Sequence, residues 1–248
     1  MSEPALRLPE RPRLHHQVTR HLALRVIQAE RRSSPAAFPN ETVLCGELGV
    51  SRTVLRESMK VLADKGMVQM RPRAGTCARP RSDWHLLDPD ILAWQAELEP
   101  DGRFLRDLCE VLLAIEPTAA GFAALRATGE EIARIALCLE KCEGAPADEI
   151  VGLDLEFHSA VVEASHNPLL TKLSATIRGP FRTALGYTSR FPANVALRIE
   201  AHRVLLDALR HRDPLASRAA AEQVVGLAML AVEEVIRASG PSQSKGKT

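Results

Sequence analysis

The segment LGVSRTVLRESMKVLADKGMV, residues 48–68, constrains the fold of this chain more than any other stretch. Gly49 turns the chain, and Ser51 is a residue type that caps a helix N-terminus through its hydroxyl. The apolar side chains that follow fall on one helical face, at Leu55, Met59 and Leu62. A short helix, a tight turn and a second, amphipathic helix are therefore predicted here.

The flanking segments extend this pattern into a larger unit. Residues 14–32 are predicted to form a helix, and residues 41–49 form the short helix before the turn. The stretch GMVQMRPRAGTCARP, residues 66–80, contains two short extended pieces around proline and glycine, which favours a hairpin. Helix, helix, turn, helix and hairpin is the order of a winged helix-turn-helix.

The charge distribution separates the first third of the chain from the remainder. Through Arg81 the sequence holds 15 lysine and arginine residues against 7 aspartate and glutamate residues, a net charge of +8. The remainder holds 17 against 24, a net charge of −7, although the whole chain carries only +1. A basic segment joined to an acidic one predicts a polyanion partner for the first segment.

Two arginines in the second helix point to the same partner. Arg52 and Arg56 lie one turn apart, away from the apolar face, and taken alone they fit the polar face of any surface helix. With the turn, the hairpin and the basic charge, they predict a helix that enters the DNA major groove, where arginine binds guanine or phosphate. The predicted DNA-contacting residues are Ser51, Arg52, Thr53, Arg56, Arg71 and Arg73.

The remaining chain is predicted to be a helical bundle. Its helical stretches follow a capped helix in DPDILAWQAEL and cover 102–126, 129–142, 147–165, 167–188, 194–212 and 214–238. The predicted fold class is mainly α, with a winged helix-turn-helix before an all-helical domain. The expected organisation is a flexible N-terminus (1–13), a DNA-binding domain (14–80), a linker (81–88), a helical domain (89–238) and a disordered tail (239–248).

Three side chains in the bundle carry candidate chemistry. Asp154 and His158 lie four residues apart in an apolar helix, so they share one helical face, and His202 lies in another apolar helix. A carboxylate and imidazoles side by side can ligate a divalent metal, and they can equally form a buried hydrogen-bonded group. A metal with an open position could also activate water, which leaves a metal-dependent enzyme as an alternative.

The segment GVSRTVLRESMKVLADKGMVQMRPRAGT closely resembles the DNA-binding domain of GntR-family transcription regulators. The resemblance covers roughly residues 12–80. It implies DNA contact by the start of the second helix, from Ser51 to Arg56, and by the wing from Arg71 to Gly75. One position departs from the family pattern, since Thr42 stands where an arginine usually follows the first glutamate of ETVLCGELG. The resemblance therefore implies that one DNA contact of the family is missing.

The C-terminal part resembles the FCD type of the FadR-like branch, through EVLLAIEPTAA, DLEFHSAVVEASHNPLL and EAHRVLLDALRHRDPLASRAAAE. The resemblance implies an effector-binding and dimerisation domain, and a site for zinc or another divalent ion. Three of the family's ligands fall on Asp154, His158 and His202, whereas the fourth falls on Val224, which cannot ligate. A three-ligand site completed by water or effector, with reduced affinity, is expected.

The resemblance also bears on the effector. Leu112 replaces an arginine that members binding carboxylates commonly carry, so the predicted effector-binding residues are Arg182, Arg178 and Tyr187. The stretch RSDWHLLDPDILAWQ resembles repressors of sugar-acid (galactonate-type) catabolism. The expected function is an effector-responsive repressor that binds a palindromic DNA operator as a homodimer and is released by a small organic acid. A regulator for a different organic acid is the nearest alternative.

The remaining features concern the compartment. Five scattered cysteines without a CxxC pair suit a reducing environment, and no uninterrupted apolar run approaches the ~20 residues of a membrane helix. The N-terminus lacks the apolar stretch of a signal peptide. A cytoplasmic protein without a membrane partner is expected.

Overall fold

The computed structural model describes residues 12–33, 38–71, 75–98, 102–146, 149–188 and 192–238. Its contacts divide the chain into two compact units, Met1–Leu98 and Glu99–Thr248. The predicted fold class is confirmed: the first unit contains the winged helix-turn-helix, and the described part of the second is all helical.

The first unit has four α-helices, a short 3-10 helix and a hairpin in its described part. They are α1 (Pro12–Arg31), α2 (Glu41–Leu48), α3 (Arg52–Asp64), β1 (Val68–Arg71), β2 (Gly75–Ala78), a short 3-10 helix (Arg81–Asp83) and α4 (Pro89–Glu97). The strands pair antiparallel, with Val68 opposite Ala78 and Arg71 opposite Gly75. These bounds agree with the predicted helices and hairpin to within a few residues.

The turn between α2 and α3 has the predicted chemistry. Gly49 has a φ of +64° and its backbone N–H donates to the carbonyl of Cys45, which ends α2. The Ser51 hydroxyl accepts a hydrogen bond from the N–H of Val54 at 3.3 Å, which begins α3. The apolar face of α3 is then buried in the core of the unit, through Leu55, Met59 and Leu62.

Residues 81–98 pack against the winged unit, which differs from the linker and domain assignment expected from the sequence. Trp84 is 4% exposed and its indole N–H donates to the carbonyl of Arg79 at 3.1 Å. The ammonium group of Lys65 contacts Asp88 at 2.7 Å and Asp90 at 2.8 Å, and it lies over the ring of Trp94. Apolar burial and paired charges therefore hold this segment, including α4, on the first unit.

The second unit is a bundle with a largely aliphatic core. Its helices are α5 (Gly102–Arg126), α6 (Gly129–Glu143), α7 (Ile150–Glu163), α8 (Pro168–Thr188), α9 (Pro192–Arg210) and α10 (Pro214–Ala238). Small residues let the helices approach closely, and the core includes Ala120, Ala123, Phe157, Leu205 and Leu209. Thr128 and Glu131 form a reciprocal capping box at the start of α6.

Two helices of this bundle are apolar enough to cross a membrane by length and composition. They span Gly102–Arg126 and Pro214–Glu234, and 56% and 44% of their most apolar windows are buried within the unit. The sequence expectation of no membrane segment rested on the absence of an uninterrupted apolar run. These helices contain polar residues, but their average hydropathy and length are sufficient for a membrane span. Core helices of soluble proteins also pass it, so the finding is only weak support for a membrane segment.

Gly66, just after α3, allows the backbone of Asp83 and Trp84 to come close to the chain. It has a φ of +78°, and a Cβ built there would lie 2.2 Å from the carbonyl oxygen of Asp83. Gly66→Ala should therefore destabilise the first unit by about 3 kcal/mol or more. Gly49→Ala is the matched control, because its φ is also positive but no atom lies within 4 Å; it should cost about 1–2 kcal/mol.

Denaturant unfolding followed by tryptophan fluorescence measures this difference. Both tryptophans of the chain, Trp84 and Trp94, lie in the first unit, so the signal reports on that unit. Equal losses of stability in the two variants would contradict the close approach of residue 83 to residue 66.

Candidate functional site

The exposed face of α3 is the first candidate site. Arg52, Thr53 and Arg56 are exposed, whereas Ser58 on the opposite face is buried and its hydroxyl donates to the carbonyl of His15. The arginines stand in the first two turns of the helix, immediately after the Ser51 cap. Such a helix presents its polar N-terminal part outward, as a helix that enters a major groove must do.

Both arginines are held by side chains of α2. The guanidinium of Arg56 contacts the carboxylate of Glu41 through two nitrogens, at 2.9 Å and 3.1 Å. Arg52 donates to the hydroxyl of Thr42 at 3.3 Å. Thr42, the position that departs from the family pattern, thus has a contact with one of the predicted DNA-binding residues.

The hairpin contributes the other described residues of this surface. Arg71 is exposed and donates to the side-chain oxygen of Gln69 at 3.0 Å and 3.2 Å. Gly75 has a φ of +83° and begins β2, as a turn with positive φ requires. A groove of about 570 Å³ between α3 and the hairpin is lined by residues that include Arg56, Lys60, Arg71, Gly75 and Thr76. Arg73 lies outside the described residues.

The second candidate site lies in the helical unit, where the predicted metal ligands come together. Asp154 and His158 on α7 and His202 on α9 each offer a ligand atom, and these atoms lie within 4.8 Å of one another. The Nε2 atoms of the two histidines are 3.2 Å apart, and the Nε2 atom of His158 is 3.6 Å from Oδ2 of Asp154. We call these three residues the Asp–His–His cluster.

Glu116 on α5 orients one of the histidines. Its carboxylate lies 2.7 Å from Nδ1 of His158, and its side chain is 8% exposed. Burial disfavours the charged imidazole, but the Glu116 carboxylate outweighs this effect and raises the pKa of His158 above its ordinary value. Because Nδ1–H donates to Glu116, Nε2 of neutral His158 presents a lone pair toward Asp154 and His202.

Arg198 on α9 neutralises the buried carboxylate. One of its terminal nitrogens contacts Oδ1 of Asp154, and both side chains are 6% exposed. Burial raises the pKa of Asp154, but the Arg198 guanidinium and the histidines outweigh it and hold the pKa below its ordinary value. Burial also lowers the pKa of His202 to about 3, with His158 and Arg198 acting in the same direction. His202 is therefore a neutral imidazole.

The donor set of the cluster fits a divalent metal. Oδ2 of Asp154 is buried and has no hydrogen-bond partner among the described residues. Two imidazole nitrogens at ~2.0–2.1 Å from a tetrahedral zinc lie about 3.3 Å apart, close to the 3.2 Å between the two Nε2 atoms. A carboxylate on the far nitrogen of a ligating histidine, as Glu116 provides, is a common feature of zinc sites.

Sequence reasoning missed two residues of this site. Glu116 lies within an apolar helical stretch, where an isolated carboxylate indicates a buried partner. Arg198 precedes His202 by four residues, the same one-turn spacing that identified Asp154 and His158. Both signals were present in the sequence, but neither names its partner on another helix.

The predicted effector-binding residues lie on α8. Arg182 is exposed and Arg178 is half-buried, and the described contacts of the Asp–His–His cluster include neither. The side chain of Tyr187 lies outside the described residues. Val224, the position of the family's fourth ligand, is buried on α10 at 2% exposure.

Glu116→Gln tests the electrostatic part of this arrangement. Glutamine carries no charge, so His158 should lose its proton at a lower pH than in the wild type. Stability linked to His158 is fully present below the ordinary pKa of 6.5 and is lost as the pH rises through the raised value. Without Glu116 the pKa is raised less, so the variant should lose most of that contribution. An NMR titration of the histidine ring nitrogens measures the change in pKa.

Glu110→Gln is the matched control, because Glu110 is exposed on the same helix. This variant removes one carboxylate charge from the exposed side of the helix, so the titration of His158 should match that of the wild type. An unchanged His158 titration in Glu116→Gln would show that this carboxylate does not control the imidazole.

Comparisons with known proteins agree with this architecture. Two family profiles match the chain, described as "Bacterial regulatory proteins, gntR family" over residues 16–77 and as "FCD domain" over residues 107–226. The galactonate operon transcriptional repressor of Escherichia coli K12 is 32% identical over 201 residues, covering 80% of this chain and 88% of that protein. The putative L-lactate dehydrogenase operon regulatory protein of the same organism is 35% identical over 144 residues, covering 58% and 55%.

Solved structures share the fold at low sequence identity. The Listeria monocytogenes protein Lar has a TM-score of 0.60 at 13% identity, covering 95% of this chain and 100% of that one. Escherichia coli McbR/YncC has a TM-score of 0.51 at 20% identity, covering 90% and 98%. With both profiles and a relative that matches over most of its length, the chain belongs to the GntR family of bacterial regulatory proteins, as a transcriptional regulator with an FCD domain.

Proposed function

We propose that this regulator represses a sugar-acid catabolic operon and is released from a palindromic operator by a small carboxylate ligand. The observation that carries the proposal is the similarity to the galactonate operon transcriptional repressor, which extends over most of both chains. The sequence RSDWHLLDPDILAWQ, which resembles repressors of sugar-acid catabolism, supports the same class of effector.

DNA contact is assigned to α3 and the hairpin. Arg52 and Arg56 bind guanine or phosphate in the major groove, with Ser51 and Thr53 beside them, and the hairpin residues around Arg71 bind the DNA backbone. The contacts of Arg56 with Glu41 and of Arg52 with Thr42 are exposed. An exposed ion pair such as Arg56–Glu41 contributes only about 0–1 kcal/mol. A hydrogen bond such as Arg52–Thr42 contributes about 0.5–1.5 kcal/mol, so both arginines can exchange these partners for DNA. The regulator therefore acts in the cytoplasm, where the DNA lies.

A homodimer matches the two-fold symmetry of a palindrome. We call α3 the recognition helix. In a dimer, the two recognition helices on successive half-sites must lie about 34 Å apart, which is one turn of DNA. Exposed apolar side chains on α9 and α10 support a contact between two copies, among them Leu197, Val204 and Leu230. They border an open groove of about 640 Å³ on the second unit.

The Asp–His–His cluster is the proposed metal centre of the effector domain. Asp154, His158 and His202 would hold zinc or a similar divalent ion, and Val224 leaves the fourth position to an exogenous ligand. A bound metal supplies positive charge that attracts an effector carboxylate. Arg182, Arg178 and Tyr187 on α8 remain the proposed effector-binding residues, and buried Arg198 joins them as a cation at the cluster.

A different organic acid is the second candidate. The similarity to a putative L-lactate dehydrogenase operon regulatory protein supports a smaller hydroxy acid as the effector class. The metal-dependent enzyme considered from the sequence is not retained, because the GntR and FCD matches identify a transcription regulator.

Alanine substitutions in α3 test whether its arginines contact DNA. Arg52→Ala and Arg56→Ala should each weaken specific operator binding by about 1–3 kcal/mol in each half-site, because each removes a base or phosphate contact. Arg210→Ala is the control, since Arg210 is an exposed arginine of the helical unit paired with Asp207. Gel shifts on DNA upstream of the regulator's own gene measure the affinities. Wild-type affinity in both recognition-helix variants would refute their assignment.

Ligand binding and operator release test whether the effector is a sugar acid. Galactonate or gluconate should raise the melting temperature and release the operator DNA, since a ligand at about 100 times its Kd stabilises the folded state by about 2.7 kcal/mol. Arg182→Ala should reduce both responses, whereas Lys172→Ala removes an exposed charge from the same helix and should not. A screen in which only fatty acids or amino acids shift the melting temperature would reject the sugar-acid class.

A further inference from the structure

We propose that Arg198 makes divalent-metal binding at the Asp–His–His cluster conditional on an anion. Its guanidinium places a fixed positive charge next to the Asp154 carboxylate, and this charge repels a metal ion bound there. The metal is therefore retained well only when a carboxylate ligand binds with it. This inference rests on the proposed function, in which the cluster holds a divalent metal and the effector is a carboxylate.

The geometry places Arg198 and the metal position on the same carboxylate. Arg198 contacts Oδ1 of Asp154, while Oδ2 is the oxygen without a hydrogen-bond partner and lies 3.6 Å from Nε2 of His158. A metal ligated by Oδ2 and the two imidazoles would therefore share Asp154 with the guanidinium. Two cations would be held by one carboxylate in a buried site.

The charges of the described residues at the cluster explain why an anion is needed. Neutral imidazoles are the ligating forms, so the charged side chains at the metal-bound cluster are Asp154, Glu116 and Arg198. A divalent ion added to two carboxylates and one guanidinium leaves one net positive charge. All three side chains are at most 8% exposed, so water screens this charge poorly.

A monocarboxylate removes the excess charge. Its negative charge brings the total to zero, and Val224 supplies no competing ligand at the fourth position. Metal and carboxylate should therefore each strengthen the binding of the other by the same factor, as linkage requires. The effector would then be recognised together with its metal, and Arg198 would determine that coupling.

The decisive variant is Arg198→Gln, which keeps a hydrogen-bond donor for Asp154 and removes the positive charge. Arg198→Lys keeps the charge. Arg203→Gln is the matched control, because Arg203 lies on the same helix but is 51% exposed and pairs with Glu143 and Glu200. Circular dichroism and thermal melting establish that each full-length variant is folded.

Calorimetric titration with nickel, in the presence and absence of gluconate or acetate, is the measurement. Titration of nickel into each carboxylate alone corrects for chelation in solution. In wild-type protein the carboxylate should tighten nickel binding roughly tenfold or more. Arg198→Gln should bind nickel about tenfold more tightly than the wild type without carboxylate, and the effect of carboxylate should largely disappear. Arg198→Lys and Arg203→Gln should behave like the wild type.

Two results would overturn the inference. If Arg198→Gln binds nickel more weakly than the wild type, the guanidinium only positions Asp154 for ligation. If nickel binding to wild-type protein is undetectable even with carboxylate present, or does not respond to carboxylate, no coupling exists, whether or not the variant folds. Operator gel shifts on the same proteins, without metal or carboxylate, test the DNA-binding part of the proposed function separately.

Discussion

The carboxylate of Asp154 can remain charged inside an apolar helical bundle only because other charged groups surround it. At 4% exposure it has lost most of its hydration, and an unpaired buried charge would cost several kcal/mol. Arg198 from α9 contacts one of its oxygens, and His158 from α7 links it to Glu116 on α5. Three helices are thus joined through one polar network, so their relative positions are specified more narrowly than apolar contacts alone would require.

Local spacing predicted part of this network. One-turn spacing placed Asp154 and His158 on a shared face, and a second apolar helix supplied His202 as a third candidate. The family resemblance then grouped the three residues as metal ligands. The partners Glu116 and Arg198 were missed, because they lie 42 and 44 residues away from their contacts at His158 and Asp154. Periodicity identifies which face of a helix is polar, but it does not specify which helix that face meets. That information depends on tertiary packing, as does the pKa of each group.

The difference between local patterns and long-range packing also explains why the winged unit was predicted closely and the packing of residues 81–88 was not. The Gly49 turn, the Ser51 cap and the apolar face of α3 are local features, and they predicted the winged unit closely. The segment after the hairpin, residues 81–88, was expected to be a linker. It packs on the unit through buried Trp84 and through Lys65, whose charge partner Asp88 lies 23 residues along the chain. The close approach at Gly66 also depends on this long-range packing.

Burial, rather than residue type, separates the functions of the arginines. Arg56 is 69% exposed in its side chain, so its contact with Glu41 is screened by water and can be exchanged for another partner at little cost. Arg198 is 6% exposed and pairs with an equally buried carboxylate, so leaving Asp154 would deprive a buried charge of its guanidinium partner. The first arrangement suits reversible binding to DNA. The second keeps a permanent positive charge beside a buried carboxylate and two histidines inside the helical unit.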